Sequence, residues 1–270
     1  MIFLKMRHYI LVMCVLLLLP MAVVGRDKKE VKARTTSPAS SPDALPIVLV
    51  GKVQLCAQQA LPALSSNRYL GKRYVEGIDV SRYQGVIDWK RVAESRQIGY
   101  AYVKATEGER LVDRMYRKNL VEARKTGLRV GSYHFYRPNV NWKRQAKHMK
   151  KHVKAQEQDL IPIVDVEVRG RVSHAKFIRD LKRFVEEVEQ YYGRKPLLYT
   201  YQNFYNKHLV GHFDGYQWMI ARYRMEVPTL SDGTNFMMWQ YTDSGIMDGV
   251  NGCVDCSCLM DGFRLHMLEL

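Results

Sequence analysis

The chain has 270 residues, 47% of them hydrophobic and 26% charged, which is enough apolar material for one large core and excludes a disordered or fibrous protein. Its formal charge of +15 favours polyanionic partners. The sequence has no zinc-finger spacing, aromatic RNA-binding motif or compact basic reading helix, so nucleic acid is not the expected partner.

Lys5 and Arg7 precede an uncharged apolar run of 16 residues from Tyr9 to Val24. This is shorter than the roughly 20 residues of a spanning helix. A positive flank, a short apolar run and a Val-Val-Gly ending predict an export signal over residues 1–25, cleaved after Gly25, with membrane contact only through this segment if it is retained. Residues 26–73 hold nine Lys/Arg against three Asp/Glu. Arg26 to Asp43 is rich in Lys, Arg, Ser, Thr and Pro, and too poor in large apolar residues to order itself, so a disordered basic extension is predicted. Leu45-Pro-Ile-Val-Leu-Val resembles a short strand without an evident role. The remaining charge, +7, lies on residues 74–270, read as the catalytic domain.

From Tyr74 the pattern is regular. Eight candidate strands occur at Gly77-Ile-Asp-Val, Tyr100-Ala-Tyr-Val, Arg129-Val-Gly-Ser-Tyr-His-Phe, Ile161-Pro-Ile-Val-Asp-Val-Glu-Val, Pro196-Leu-Leu-Tyr-Thr-Tyr, Gln217-Trp-Met-Ile-Ala, Phe236-Met-Met-Trp-Gln-Tyr and Cys253-Val-Asp-Cys. Helical spacing occurs between the early ones: Asp88 to Ile98 with Asp88 as N-cap, Tyr116 to Thr126 ending at Gly127, and the basic Asn141 to Gln158. Ser173 to Tyr192 follows, with Phe177, Leu181, Phe184 and Val188 on one face and a stop at Gly193, then the short Asn203 to Leu209. Alternating strand and helix argues for parallel pairing with helices outside. The last three strands are too closely spaced for ordinary crossover helices, so loops and antiparallel pairing are expected there. The expected fold class is α/β, a modified TIM-like barrel.

The sharpest chemical feature is Ile163-Val-Asp-Val-Glu-Val. Alternation puts Asp165 and Glu167 on one face and Val164, Val166 and Val168 on the other. Two carboxylates held close do not ionise independently, and one retains its proton to higher pH. Cleavage of a glycosidic bond uses that combination: a proton donor for the leaving oxygen and a nearby negative charge for the oxocarbenium-like state. A half-exposed strand with two solvated acids explains the motif equally well. Asp79 in the first strand and Asp255 in the last shift the balance, because those strands are neighbours in a closed barrel and catalytic groups sit at strand ends. Aromatic residues Tyr83, Tyr133, Phe135, Tyr199, Trp218, Trp239 and Tyr241 lie near strand ends and suit the apolar faces of sugar rings, about half of them being expected to serve packing only. His134 is expected to be a satisfied core histidine, and Lys104 with Glu107 either an ion pair or a substrate contact.

Gly77-Ile-Asp-Val-Ser-Arg-Tyr-Gln-Gly, Val103-Lys-Ala-Thr-Glu-Gly, Gly131-Ser-Tyr-His-Phe-Tyr-Arg-Pro, Pro162-Ile-Val-Asp-Val-Glu, Trp239-Gln-Tyr-Thr and Gly252-Cys-Val-Asp resemble, in order, the motifs of glycoside hydrolase family 25 lysozymes. The resemblance runs from about Tyr74 to the C-terminus. It implies a (β/α)5β3 barrel that hydrolyses the β-1,4 bond between N-acetylmuramic acid and N-acetylglucosamine in peptidoglycan. It also implies Asp79, Asp165, Glu167 and Asp255 as the active-site set, with Glu167 as proton donor and Asp165 as nucleophile or as the group that orients the substrate's acetamido. Ser257 stands where family members often carry Asn, and cysteines flank Asp255. A glycan-binding protein without turnover and a chitinase-type hydrolase are the alternative readings. A monomer is expected, with no cofactor. After signal removal Cys56, Cys253, Cys256 and Cys258 remain, an even count that permits disulfides. No His stands at ligand spacing, so zinc is not expected. Strand alternation predicts Cys256 and Cys258 as buried free thiols on the face opposite Asp255.

Overall fold

The computed structural model describes residues 75–95 and 98–270. The predicted export segment, the basic extension, the strand-like residues 45–50 and Cys56 lie outside the described residues.

The strands are β1 (Glu76–Val80), β2 (Ile98–Glu107), β3 (Leu111–Val112), β4 (Arg129–Phe135), β5 (Ile163–Asp165), β6 (Leu197–Tyr201), β7 (Trp218–Ala221), β8 (Met238–Gly245) and β9 (Val254–Leu259). Each of the eight predicted runs overlaps a strand. The addition is β3, two residues folded back on the end of β2 and too short to carry a periodic signal. Pairing runs β1-β9-β8-β7-β6-β5-β4-β2, and β1 pairs with β2 to close an eight-stranded barrel in a mixed α/β fold. From β1 through β2, β4, β5, β6, β7 and β8 every pairing is parallel. β9 runs antiparallel to both β8 and β1. The short final connections thus give one reversed strand, while β7 and β8 stay parallel through an irregular crossover.

The helices are α1 (Trp89–Glu94), α2 (Tyr116–Arg124), α3 (Trp142–His152), α4 (His174–Tyr192) and α5 (Gln202–His208). Asp88 caps α1 by accepting from the Arg91 N–H at 3.2 Å, and Ser173 caps α4 by accepting from Lys176 at 3.3 Å. Gly193 ends α4 at φ 70°, a left-handed position that favours glycine. α3 is shorter than its spacing predicts: Val153 turns extended and buries its side chain, and its carbonyl accepts from the Tyr192 hydroxyl at 2.7 Å.

Two cores follow from strand alternation. The outer one joins outward residues of the barrel, among them Ile78, Val103, Val130, Val164 and Leu198, to the predicted face Phe177, Leu181, Phe184 and Val188 of α4. His134 belongs to this layer: it stacks on Phe184 and bonds Thr106 through Nδ1 at 2.8 Å, as expected of a satisfied core histidine. Cys256 and Cys258 are buried free thiols, while Cys253 is disulfide-bonded. The inner core fills the lower lumen with Tyr100, Tyr102, Leu160, Ile163, Leu197, Met219, Met238, Leu259 and Leu268. Tyr100 and Tyr102 fit there because their strand neighbours in register, Gly77 and Gly131, have no side chain: a Cβ at either position would overlap the ring. Gly131→Val is therefore expected to destabilise the fold by about 1–3 kcal/mol or more, as overpacking does, read as a lowered midpoint of thermal unfolding.

Candidate active site

With the lower lumen packed, the acids collect at the other end, where the parallel strands finish. Asp79 and Gly77 face inward from β1, with Ile78 and Val80 outward. On β9, Asp255 and Ser257 face inward and Cys256 faces the outer core. Asp79 and Asp255 sit directly opposite each other across the antiparallel β1–β9 pair, a position where like charges repel. Asp165 closes β5, flanked in register by Phe135 of β4 and Tyr199 of β6. Glu167 lies two residues further on, just beyond the strand rather than within it. The ladder extends one residue past Asp165, the Val166 N–H donating to Tyr199 at 2.9 Å, and this keeps Val166 in the outer core and Glu167 on the lumen side. The four acids predicted from sequence are thereby brought together at one end of the barrel.

Burial governs their proton affinities. It pushes Glu167 up to about 7, against the lowering charges of Lys104 and Arg137. Asp165 is raised well above the usual carboxylate range by burial and then by the charge of Glu167, so the two titrate as a linked pair. Asp79 is pushed up to about 7 by burial, with hydrogen bonds from Gln240 and Ser257 opposing the rise. Asp255 is raised by burial and then by the charges of Asp79, Asp243 and Glu167. Asp165 differs from Asp79 in its partners: among the described residues Oδ1 of Asp165 is buried and has no hydrogen-bond partner.

Gln240, which the sequence reading missed, organises Asp79. Its Nε2 donates to Asp79 Oδ2 at 3.1 Å, and its Oε1 accepts from the hydroxyls of Tyr199 and Tyr223, each at 2.8 Å. Ser257 donates to the same Asp79 oxygen at 3.4 Å and shares a hydrogen bond with Tyr100 at 3.1 Å. Asp79 is thus held as an acceptor. The signal was present in the sequence, since Gln240 and Ser257 are polar residues inside apolar strand runs.

The aromatic set divides. Tyr133, Phe135 and Tyr199 face the lumen beside the acids. Tyr83 is 68% exposed in the turn following β1. Trp218 and Trp239 do not line the lumen, contrary to expectation. Trp218 is buried in the outer core with its ring edge-on to Tyr205 and Phe213, because its strand neighbours Met219 and Ala221 take the inward positions. On β8, Met238 and Gln240 point inward, which turns Trp239 and Tyr241 outward. Trp239 donates to the Arg222 carbonyl at 3.0 Å, and Tyr241 donates to Glu76.

Lys104 and Glu107 form an ion pair at 2.7 Å, and the guanidinium of Arg137 donates to the other oxygen of Glu107, with Nε at 2.9 Å. Burial raises the Glu107 carboxyl, and these hydrogen bonds and charges more than reverse it, holding the group below its ordinary range. Both cations also lie over the Phe135 ring, at 5.2 and 4.3 Å from its centre. One surplus positive charge therefore stands beside Asp165 and Glu167. Removing it as Lys104→Met is expected to raise the proton affinity of the pair and move the alkaline limb of the activity profile up by roughly one pH unit, measured as rate against pH.

The sequence profile described as glycosyl hydrolases family 25 matches residues 78–250. Over 185 residues the chain is 39% identical to YegX of Escherichia coli strain K12, an alignment covering 67% of this chain and 68% of that protein. Over 188 residues it is 29% identical to an autolytic lysozyme of Clostridium acetobutylicum, covering 70% of this chain and 56% of that one. The structure of a family 25 glycosyl hydrolase from Bacillus anthracis superposes with a TM-score of 0.65 at 30% identity, covering 73% of this chain and 93% of that one.

Proposed function

Because the chain belongs to glycosyl hydrolases family 25 and is a lysozyme-type glycoside hydrolase of peptidoglycan, we propose that it cleaves the β-1,4 bond between N-acetylmuramic acid and N-acetylglucosamine, with Glu167 as general acid and then base. The observation that carries this reading is the placing of two buried, mutually coupled carboxyls side by side at the barrel mouth. Glu167 is pushed up to about 7, and its neighbour Asp165 presents a buried oxygen that none of the described residues satisfies. An acid that is protonated at mildly acidic pH donates to the leaving oxygen. Asp165 holds its own proton through burial and the charge of Glu167, so it must lose that proton before it can bond the anomeric carbon, whereas its unpartnered oxygen can accept the acetamido N–H of the substrate in either state. Asp79 and Asp255 supply hydrogen bonds and set the charge around the pair. Tyr83, Tyr133, Phe135 and Tyr199 offer faces to the sugar rings. This chemistry asks for no metal or cofactor.

The same reading includes the (β/α)5β3 layout, a division into export segment 1–25, basic extension 26–73 and catalytic domain 74–270, delivery to the cell envelope or beyond it, and action as a monomer. The test is mass analysis of fragments released from purified peptidoglycan. N-acetylmuramic acid is expected at each new reducing end. N-acetylglucosamine there would assign the other glycosidic bond, and binding without fragments would make the protein a glycan-binding barrel. Turnover of chitin oligomers at the rate of muramyl glycan would favour the chitinase-type reading.

A further inference from the structure

Charge is distributed unevenly over the domain. Between Arg110 and Ala155 the sequence holds 14 Lys/Arg and two acids, Asp113 and Glu122, although residues 74–270 as a whole carry only +7. The rest of the domain is therefore net acidic. The segment forms β3, α2, β4 and α3, and its surface parts are tied into one face. His148 of α3 bonds the Leu111 carbonyl of β3 at 2.9 Å, and Arg117 of α2 pairs with Glu157 just after α3 at 2.6 Å.

α3 concentrates the effect. It buries Gln145, Ala146 and Met149, and exposes Lys143, Lys147 and Lys151 in a row at intervals of four. Lys147 and Lys151 have no acidic partner among the described residues, and Lys143 lies over the Trp142 ring at 5.4 Å. Lys151 in the last turn suits the helix dipole, but the like charges four apart repel along the row and Lys143 in the first turn opposes the dipole. A local conflict that the fold leaves unrelieved marks a position where an outside group relieves it. The row starts close to the mouth of the barrel, since α3 follows the loop that leaves Phe135, the register neighbour of Asp165. The apolar face of α3 is buried in the core, which leaves nothing to insert into a bilayer.

We propose that the α3 face carrying Lys143, Lys147 and Lys151 is a docking surface for the carboxylates of peptide stems on the glycan strand held in the site. This rests on the peptidoglycan reading above. Stems projecting from a strand bound at the mouth meet the row at its Lys143 end and lie down along the helix towards Lys151, and the contact keeps the enzyme on its wall between cleavages.

The test uses the full chain and the K143E/K147E/K151E variant in fluorescence titrations with soluble glycan strands carrying intact stems and with the same strands stripped of stems by an amidase. The wild type is expected to bind intact material about tenfold more tightly than stripped strands, with added salt erasing the difference. The variant is expected to bind both alike and to cleave a short stem-free muramyl oligosaccharide at the wild-type rate. K143Q/K147Q/K151Q serves if charge reversal prevents folding, and an intermediate loss is expected of it. Equal binding of intact material by wild type and variant overturns the proposal, as does a wild type that ignores the stems or prefers acidic phospholipid vesicles. If the wild type shows the stem preference and cuts neither substrate, the reaction assigned above fails while the docking surface stands.

Discussion

Glu167→Gln is expected to lower the release of reducing ends from purified peptidoglycan by about 10³-fold or more, while the variant still sediments with the same material. The substitution keeps the size of the side chain and its capacity to accept hydrogen bonds, but a neutral amide has no proton to give to a departing sugar oxygen. The sign of the pH effect follows from the direction of the shift. Burial raises Glu167 from 4.5 to about 7, so the protonated donor is present below about pH 7 and is lost above it. Wild-type activity is accordingly expected to fall on the alkaline side near neutrality, and the residual rate of the variant should lack that limb. A variant that retains full turnover would remove Glu167 from the reaction and leave the barrel without an assigned acid.

Asp165→Asn is expected to reduce turnover by about 10²–10³-fold, the range for loss of one preorganised electrostatic contact in a closed site, and to make the protein more stable at the same time. Its carboxyl is buried, faces the charge of Glu167 and has an oxygen without a partner among the described residues, so its ionised form is disfavoured by the fold. Because the folded state holds this proton more tightly than the unfolded chain, the penalty is absent at low pH and grows as pH rises through the acidic range. Replacing the charge is expected to gain on the order of 1–3 kcal/mol near neutrality and to flatten that slope, read from thermal melts at pH 4 and pH 7. The small truncation Asp165→Ala separates the two roles left open for this residue. If Asp165 attacks the sugar, added azide restores product release and ends up bonded to the anomeric carbon. If it orients the acetamido group, azide restores nothing, and substrates without the N-acetyl group are poor for the wild type as well.

Much of this site is legible in the sequence because it depends on period-two alternation. Asp165 and Glu167, spaced by Val166, share a side because the extended pairing continues one residue past β5 through the Val166 N–H. The positions of Asp79 and Asp255 required only that first and last strands meet. The tryptophans were illegible for the same reason in reverse. A barrel strand is apolar on both faces, so in Trp218-Met219-Ile220-Ala221 nothing in the composition says which alternate set meets the helices. On β8 the deciding residue is Gln240, whose amide is drawn to Asp79; once it points inward, Trp239 must point out. Helix ends carrying a capping Ser or a left-handed Gly, as in α4, were readable to the residue. The end of α3 was not, because tertiary burial of Val153 ends it and no local stop signal does.

The reversed ninth strand has a consequence for assembly. Ser257 and Asp79 are 178 positions apart, yet they share a hydrogen bond, and Asp79 and Asp255 become neighbours only when the final strand docks on the first. A chain lacking that strand has an open sheet edge and no opposed aspartates. Recovery of glycan cutting during refolding is therefore expected to follow ring closure, the pairing that closes the longest loop.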